Sequence, residues 1–390
     1  MTRPIGSGRV TRWIRVAETA SLPLAVALGL LLLPRSSPGA QGRGIDFGVG
    51  ISSTYDDNLI QYSDDQLVLF ESGTKPDQFS IHSSDDVAWR PYVSLAWSEH
   101  MGRGRSRTIR VRGGGEFHSE NHTADTRSIS GSWAEALSRD SQAMLTVYRL
   151  PRFYLRQLLD DDVVPPFPGL SRYRRAQFGL TIGSASWRQR LAGRVRARLY
   201  YQYEHRGYNP DFVERTSATH QGDLELERYR LPNRGVVSIH GGYRWSKAKG
   251  EDGDDAGRAV PDDPDVSYHG VVAGTGGSMD LVRRKRWVLS AELGYEMGTR
   301  AYDSDRPADK YHNGRKDVSH MAEAAFRITY AQHWVIRGVY QFDHNSANLG
   351  ATVPPSSDVG SYTENQVGLA LAFSGALWRK SSVPADRGEE

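Results

Sequence analysis

Two runs of alternating charge contain the residues of this chain with the clearest capacity for chemistry. Three arginines and then three carboxylates recur at every second position: Arg194, Arg196, Arg198, Asp223, Glu225 and Glu227. Successive side chains of a strand point to opposite faces, so each run places one sign of charge on one face. A hairpin symmetric about residues 210–211 would produce three cross-strand pairs: Arg198 with Asp223, Arg196 with Glu225, and Arg194 with Glu227.

This charge ladder has two interpretations. In the first, it sets a transverse electric field in a pore and selects solutes by their charge. In the second, it is a neutral lining that keeps the interior wet and fixes strand register, each pair contributing about 0.2–1 kcal/mol. Further polar-face charges leave the same two interpretations open: Glu292, Glu296, Glu323, Arg327, Arg337 and Asp343.

Other reactive side chains form weaker patterns. His118 and His122 flank Glu120, but no helix places the two histidines on one face as a metal site of that spacing requires. A hydrolase at the barrel rim would need converging side chains, for which His205, Asp211 and His220 are the candidates. There is no phosphate loop, zinc spacing or nucleic-acid pattern. We therefore expect no metal, no cofactor, no enzymatic activity and no nucleic-acid partner.

Carboxylates cluster in the connections between apolar segments. They occur at Asp56-Asp57, Asp64-Asp65, Asp160-Asp161-Asp162 and through the stretch 251–265. Such loops can share divalent cations, although none has the spacing of a calcium-binding loop. An adhesion or structural protein with acidic, cation-binding loops is thus an alternative to a pore.

The elements that must position these side chains repeat one unit from Ile45 to Phe373. In the clearest segment, 191–205, odd positions are mostly apolar and even positions are mostly charged or polar. This period of two indicates strands with one apolar face. We count about fourteen strands, near 45–54, 87–98, 108–118, 128–138, 143–151, 173–187, 191–205, 216–230, 237–245, 268–282, 287–297, 318–330, 334–342 and 367–373.

The breaks between these strands alternate between short and long, which is typical of outer-membrane barrels. The break at 99–107 is longer than this rhythm predicts. Aromatic residues lie near strand ends on the apolar parity, as in the girdles at membrane interfaces: Trp89, Trp97, Trp133, Tyr203, Trp245, Trp287, Tyr295, Tyr330, Trp334 and Phe342. The pattern predicts an all-β fold, a transmembrane antiparallel up-and-down β-barrel, with a soluble β-protein as the alternative.

The N-terminal 40 residues have the composition of a secretory signal peptide. A basic stretch precedes the apolar run 22–33 and a run of small residues ending at Ala40. These residues hold five arginines and one glutamate, so the net charge of +3 becomes about −1 without them. The predicted organisation is a signal peptide over 1–40, an outer-membrane barrel over 41–378 and a disordered tail over 379–390. The absence of cysteine excludes disulfides.

Residues at the two ends of the predicted barrel carry a resemblance. The first strand ends in Tyr55-Asp56-Asp57-Asn58, and the last hairpin contains Tyr340, Asn345-Ser346, Tyr362 and Asn365. These residues resemble outer-membrane β-barrel families associated with exopolysaccharide and surface-assembly systems. The resemblance implies a barrel in the outer membrane of a diderm bacterium, with polysaccharide-export components as partners.

A second resemblance concerns the predicted last strand. Gln366, Gly368, Leu371 and Phe373 are similar to the signal that outer-membrane insertion machinery reads, although the chain continues past Trp378. Outer-membrane lipid, lipopolysaccharide and this machinery are therefore expected partners. We predict a porin-like pore or channel component, linked to surface-polysaccharide export. The alternatives are the adhesion barrel and an outer-membrane hydrolase active at the rim.

Overall fold

The computed structural model describes residues 42–381, except 103, 160–172, 230, 251–263, 308, 310 and 349–359. Several predictions lie outside the described residues. They are the signal peptide over 1–40, the tail beyond residue 381, and the acidic runs at 160–162 and 251–263.

Strands make up most of the described chain and join in one sheet. Their bounds are β1 Gly42–Asp56, β2 Asp86–Trp89, β3 Tyr92–Gly102, β4 Arg105–His118, β5 Thr126–Ala136, β6 Ser141–Leu159, β7 Tyr173–Arg190, β8 Val195–Tyr208, β9 Ser217–Arg228, β10 Val236–Ala248, β11 Tyr268–Arg283, β12 Trp287–Tyr302, β13 Lys316–Tyr330, β14 Trp334–Asn348 and β15 Tyr362–Ser381. One α-helix, α1, spans Asp64–Ser72, and short 3-10 turns span Pro76–Gln78, His122–Ala124, Pro210–Arg215 and Pro232–Arg234.

The sheet closes on itself because the first and last strands pair. β1 runs antiparallel to β15 from Gly42 opposite Ser381 to Asp56 opposite Gln366. β2 and β3 occupy one position in the wall, since β1 pairs with β2 near its end and with β3 near its start. The fold is therefore a transmembrane antiparallel up-and-down barrel of fourteen wall strands, which confirms the prediction.

Side-chain parity sets the two faces of the wall. In β8, Leu199 and Tyr201 are 51% and 44% exposed on the outer face, while Arg206 of the opposite parity lines an interior cavity. Most of the predicted aromatic residues are also exposed on the outside. Trp97 is an exception at 5% exposure; the ion-paired side chains of Arg43 and Glu99 occupy the neighbouring positions on its face.

Several predicted boundaries differ from the observed ones. The connection expected at 99–107 is a tight turn, because β3 continues to Gly102 and β4 begins at Arg105. Gly104 takes a positive φ of 78° there, which glycine adopts without steric cost.

β15 continues to Ser381, so the prediction that the barrel ends at 378 and a disordered tail begins at 379 is wrong for residues 379–381. Backbone pairing with 42–44 holds those residues in the wall.

The wall strand predicted at 87–98 is broken into β2 and β3 at Arg90-Pro91. Proline lacks the N–H that a ladder hydrogen bond needs, so it favours a break at this position. No helix among the described residues is long and apolar enough to cross a membrane.

Candidate functional site

The candidate site is the lumen together with the connection that covers one of its ends. Residues 57–85 follow β1, and we call them the mouth segment. Helix α1 begins there with a capping box, in which Ser63 and Gln66 each bond the other's backbone N–H. Such reciprocal capping satisfies donors that a helix start leaves unpaired. The helix ends at Gly73, whose φ of 63° is left-handed.

Hydrogen bonds anchor the mouth segment at two separate places on the barrel. On the side of β15, the Asn58 amide donates to the Thr363 carbonyl at 3.1 Å, and the Gln61 amide donates to Glu364 at 2.9 Å. On β6, the Arg156 guanidinium donates to the Ile60 carbonyl at 2.8 Å. The segment therefore links the β1–β15 closure to a strand several positions away around the wall.

An apolar cluster holds the mouth segment against the barrel. Ile60, Tyr62, Phe79 and Ile81 are buried with Ala124 and with Tyr154 of β6. The rings of Tyr62 and Phe79 meet edge to face, with centroids 5.3 Å apart. The Tyr154 hydroxyl also lies 2.5 Å from the Ser80 hydroxyl. Burial of several large side chains, each contributing about 1.5–3 kcal/mol, favours a seated segment.

A cavity of about 720 Å³ is bounded by the mouth segment and the lumen wall. The segment contributes Leu59, Ile60 and Gln61 to its lining. The wall contributes both signs of charge: Arg90, Arg112, Arg206, Asp56, Glu116 and Glu364. The lining of this cavity thus combines charged groups of both signs with apolar side chains such as Leu150 and Phe178.

Three of these six charged groups, Arg90, Glu116 and Arg206, are neutralised by an ion pair. Arg90 bonds Glu116 through two nitrogens at 2.8 and 2.9 Å, and Arg206 bonds Glu204 at 2.6 Å. Arg112 instead lies over the ring of Tyr92, with its guanidinium carbon 3.7 Å from the ring centroid. Stacking of this kind fixes the guanidinium plane and leaves its N–H groups free to bind.

The charge ladder is present in the lumen with a different register from the predicted one. Arg196 lies opposite Glu227 with a 3.0 Å contact, and Arg198 lies opposite Glu225 at 3.6 Å. Asp223 faces Tyr200, and Arg194 lies before β8 begins. The three predicted pairs are therefore wrong by two residues. The 3-10 turn Pro210–Arg215 shifts the centre of the hairpin toward β9.

A second charged network lies on β12, β13 and β14. Arg327 and Arg337 are directly opposite each other, and Glu292 bridges them at 2.7 and 3.3 Å. Glu323 is a further partner of Arg337. Like charges opposite each other destabilise a strand pair, so Glu292 compensates their repulsion.

The two segments that carry the resemblance lie side by side at the barrel closure. Asp57 accepts hydrogen bonds from the backbone and side chain of Asn365 at 2.6 and 2.8 Å. Asp56 accepts one from Gln366 at 3.0 Å. We call these contacts, with that of Asn58 to Thr363, the closing seam.

Within the predicted insertion signal, Gln366 thus bonds Asp56, and Gly368 pairs with Thr54. Leu371 is exposed on the outer face, and Phe373 pairs with Val49 and Trp334. Recognition of these residues by insertion machinery stays a prediction.

The histidines singled out from the sequence do not converge. His220 lies on the outer face, where it stacks on Trp245 at 4.9 Å and bonds the Tyr201 hydroxyl. His205 has the same outward parity as Tyr203, whereas Asp211 bonds Asn209 in the connecting turn. His118 is buried next to Glu116, but His122 is exposed. Within the described ranges, no group of three histidine or acidic side chains could hold a metal ion.

The docking of the mouth segment is the part of the site that the sequence patterns missed. Its local signal is visible in Ser63, Gln66 and the apolar residues that follow them. Its anchors on Tyr154 and Arg156 are far away in the chain and carry no local signal.

No protein-family model and no curated protein matches the chain. Some solved structures match it at low identity. The outer membrane channel DcaP of Acinetobacter baumannii is 13% identical with a TM-score of 0.44, over 88% of this chain and 99% of that one. The anion-selective porin from Comamonas acidovorans is 8% identical with a TM-score of 0.38, over 85% and 100%. OccAB3 of Acinetobacter baumannii is 12% identical with a TM-score of 0.37, over 85% and 99%. The fold assignment rests on the strand pairing within this chain itself.

Proposed function

We propose that this protein is an outer-membrane channel through which small polar and charged solutes diffuse. The observation that carries the proposal is the charged lumen of a closed barrel, which leads into a cavity of about 720 Å³ below the mouth segment. Barrels of eight strands are filled by side chains, and larger ones can leave an aqueous passage. An outer face rich in exposed apolar residues fits a lipid environment.

We further propose that the mouth segment limits the size of the solute. A polymer chain would have to displace the anchors of this segment on β6 and β15 before it entered the lumen. This arrangement favours small solutes over the export of surface polysaccharide. The acidic connections can still contact cations or lipopolysaccharide, which we retain as expected partners of the outside surface.

Conductance measurements test the channel. The purified barrel, inserted into a planar bilayer in potassium chloride, is expected to show discrete conductance steps. A protein that inserts, as shown by protease protection of its strands, yet passes no current would contradict the proposal.

Arg156→Ala tests the role of the mouth segment. The substitution removes a charged hydrogen bond to the Ile60 carbonyl, worth about 1.5–3 kcal/mol. We expect the displaced form of the segment to become more than tenfold more populated, with larger and noisier conductance steps. Arg188→Ala is the matched control, because it also removes one arginine charge but does so at the other end of the lumen. Equal conductance in both variants would rule out gating by the segment.

A further inference from the structure

The lumen arginines differ in whether a carboxylate accompanies them. Among the described residues, six of them form ion pairs inside the barrel: Arg90, Arg196, Arg198, Arg206, Arg327 and Arg337. Arg110 and Arg112 of β4 are exposed to the lumen, and no carboxylate of the described residues lies within 4.0 Å of either. Their charges are therefore available to a solute.

Arg110 and Arg112 point to the same side of β4, because they are two residues apart. That spacing places their Cα atoms about 7 Å apart. The two positive charges repel each other, and an oxyanion between them would remove this repulsion. Arginine binds carboxylates and phosphates through two parallel N–H groups. The stacking of Arg112 on Tyr92 holds one of the two forks in a fixed plane.

A row of hydroxyl groups lies beside the two arginines. Ser132 is opposite Arg110 and Ser130 is opposite Arg112 on β5. The next strand places Thr146 opposite Ser132 and Tyr148 opposite Ser130. The Thr146 hydroxyl is buried and has no hydrogen-bond partner among the described residues. Hydroxyls both donate and accept, so this row suits a ligand that carries hydroxyl groups of its own.

The cavity below the mouth segment opens onto this face. Arg112, Ser128, Ser130 and Tyr148 all line it. We propose that the lumen face of β4, β5 and β6 is a binding site for a small hydroxylated organic anion, such as a sugar acid or a sugar phosphate. Its oxyanion lies on Arg110 and Arg112, and its hydroxyls lie on Ser130, Ser132 and Tyr148. The inference rests on the proposed channel and names the class of its solute.

Current block by a hydroxylated anion tests the site. Gluconate and glucose 6-phosphate are each added to the conducting barrel, with acetate and glucose as the probes that lack the hydroxyls or the charge. We expect transient block by gluconate or glucose 6-phosphate, or by both, and much weaker block by acetate or glucose. Comparing how strongly each of the two anions blocks the current shows whether the site prefers a carboxylate or a phosphate.

The variant Arg110→Gln with Arg112→Gln is expected to weaken this block about tenfold to a hundredfold, the range for losing a charged hydrogen bond. Arg188→Gln removes a lumen charge away from the hydroxyl row. The anions are expected to block this variant as strongly as they block the wild type. Equal block in the double variant and the wild type would overturn the site. A similar loss in Arg188→Gln would reduce the effect to general lumen charge and would also overturn it.

A binding measurement separates this inference from the channel itself. Equilibrium dialysis of labelled gluconate and of labelled glucose 6-phosphate against the detergent-solubilised barrel does not need conduction. Binding that the double variant loses supports the site, even if the barrel passes no current. Conduction of potassium chloride without any binding or block by either anion would overturn the site and leave the channel standing.

Discussion

Glu292 is the single residue on which the charged network of β12, β13 and β14 depends. It contacts both Arg327 and Arg337, which lie directly opposite each other. Arg337 has a second partner in Glu323, whereas Arg327 has no other ion pair among the residues described. Removing the charge of Glu292 therefore leaves one arginine without compensation.

Glu292→Gln is expected to destabilise the barrel by about 1–2 kcal/mol, because two arginines lose a shared charged acceptor. The measurement is the urea midpoint of unfolding in phospholipid vesicles, followed by tryptophan fluorescence. Glu323→Gln is the control, since it removes only one partner of an arginine that keeps another. A loss in the control equal to that in Glu292→Gln would contradict the shared role.

The residues of the charge ladder show what the alternation of the sequence can predict about a single residue and what it cannot. Parity alone placed Arg196, Arg198, Glu225 and Glu227 in the lumen, because a strand has only two faces. Which pairs meet depends on the connecting turn, and the 3-10 turn after Asn209 moved the register by two residues. A shift by two keeps every side chain on its face, so the alternation cannot detect it.

Among the elements, the connection between β12 and β13 has a titratable contact outside the strands. The Asp309 carboxylate bonds His312 Nδ1 at 2.8 Å and accepts the Asp265 N–H at 2.9 Å. Burial lowers the pKa of His312 below its ordinary value, despite the nearby carboxylate. Burial is the largest single influence on Asp309 and acts to raise its pKa, but the hydrogen bonds from His312, Ser304 and the Asp265 N–H, together with the charge of His312, outweigh it and hold that pKa low.

Acidification is expected to loosen this connection. Between the lowered pKa of folded His312 and the ordinary value near 6.5, the unfolded segment binds more protons than the folded one. The contribution of neutral His312 to stability is thus fully present above the ordinary pKa, and it is lost as the pH falls from there toward the lowered pKa of the folded state. The hydrogen-exchange protection factors of the described residues in 303–315, which correct the rates for the intrinsic effect of pH, should fall from pH 7.5 to pH 5. His312→Gln should remove most of this dependence, and an unchanged profile in that variant would assign it to another group.

The mouth segment shows what local patterns encode about an element and what they omit. The start of α1 follows from Ser63 and Gln66, because capping is a contact between residues three apart. Its seating requires Ser80 to meet Tyr154 and Ile60 to meet Arg156. Those contacts span long stretches of chain, and no periodicity within the segment specifies them.

For the whole molecule, the closing seam joins the two ends of the barrel. Asp57→Ala removes the acceptor of two hydrogen bonds from Asn365. We expect the variant to lose about 1–3 kcal/mol, since a carboxylate acceptor is lost and its donors are left without it. The temperature at which the folded band disappears on an unheated denaturing gel measures this loss. Asp77→Ala, at an exposed position of the mouth segment, should behave as wild type; equal lowering in both would contradict the seam.

The architecture was predictable because a bilayer restricts it so strongly. A sheet in lipid must close, and its strands must alternate apolar and polar side chains. The strand number followed from counting alternating segments such as 287–297 and 334–342. The closing contacts between Asp57 and Asn365 did not follow, since the pattern says that the ends pair but not through which side chains.

The anchors of the mouth segment also impose an order of events during assembly. Asn58 and Gln61 bind residues more than 300 positions later in the chain. The contacts on the β15 side therefore cannot form until the last strand has joined the first, and the seating of the segment is complete only then. Before that moment we expect residues 57–85 to be more accessible to protease than in the closed barrel. Resistance of this segment to cleavage would then report that a barrel has finished closing, independently of how many of its strands have already entered the membrane.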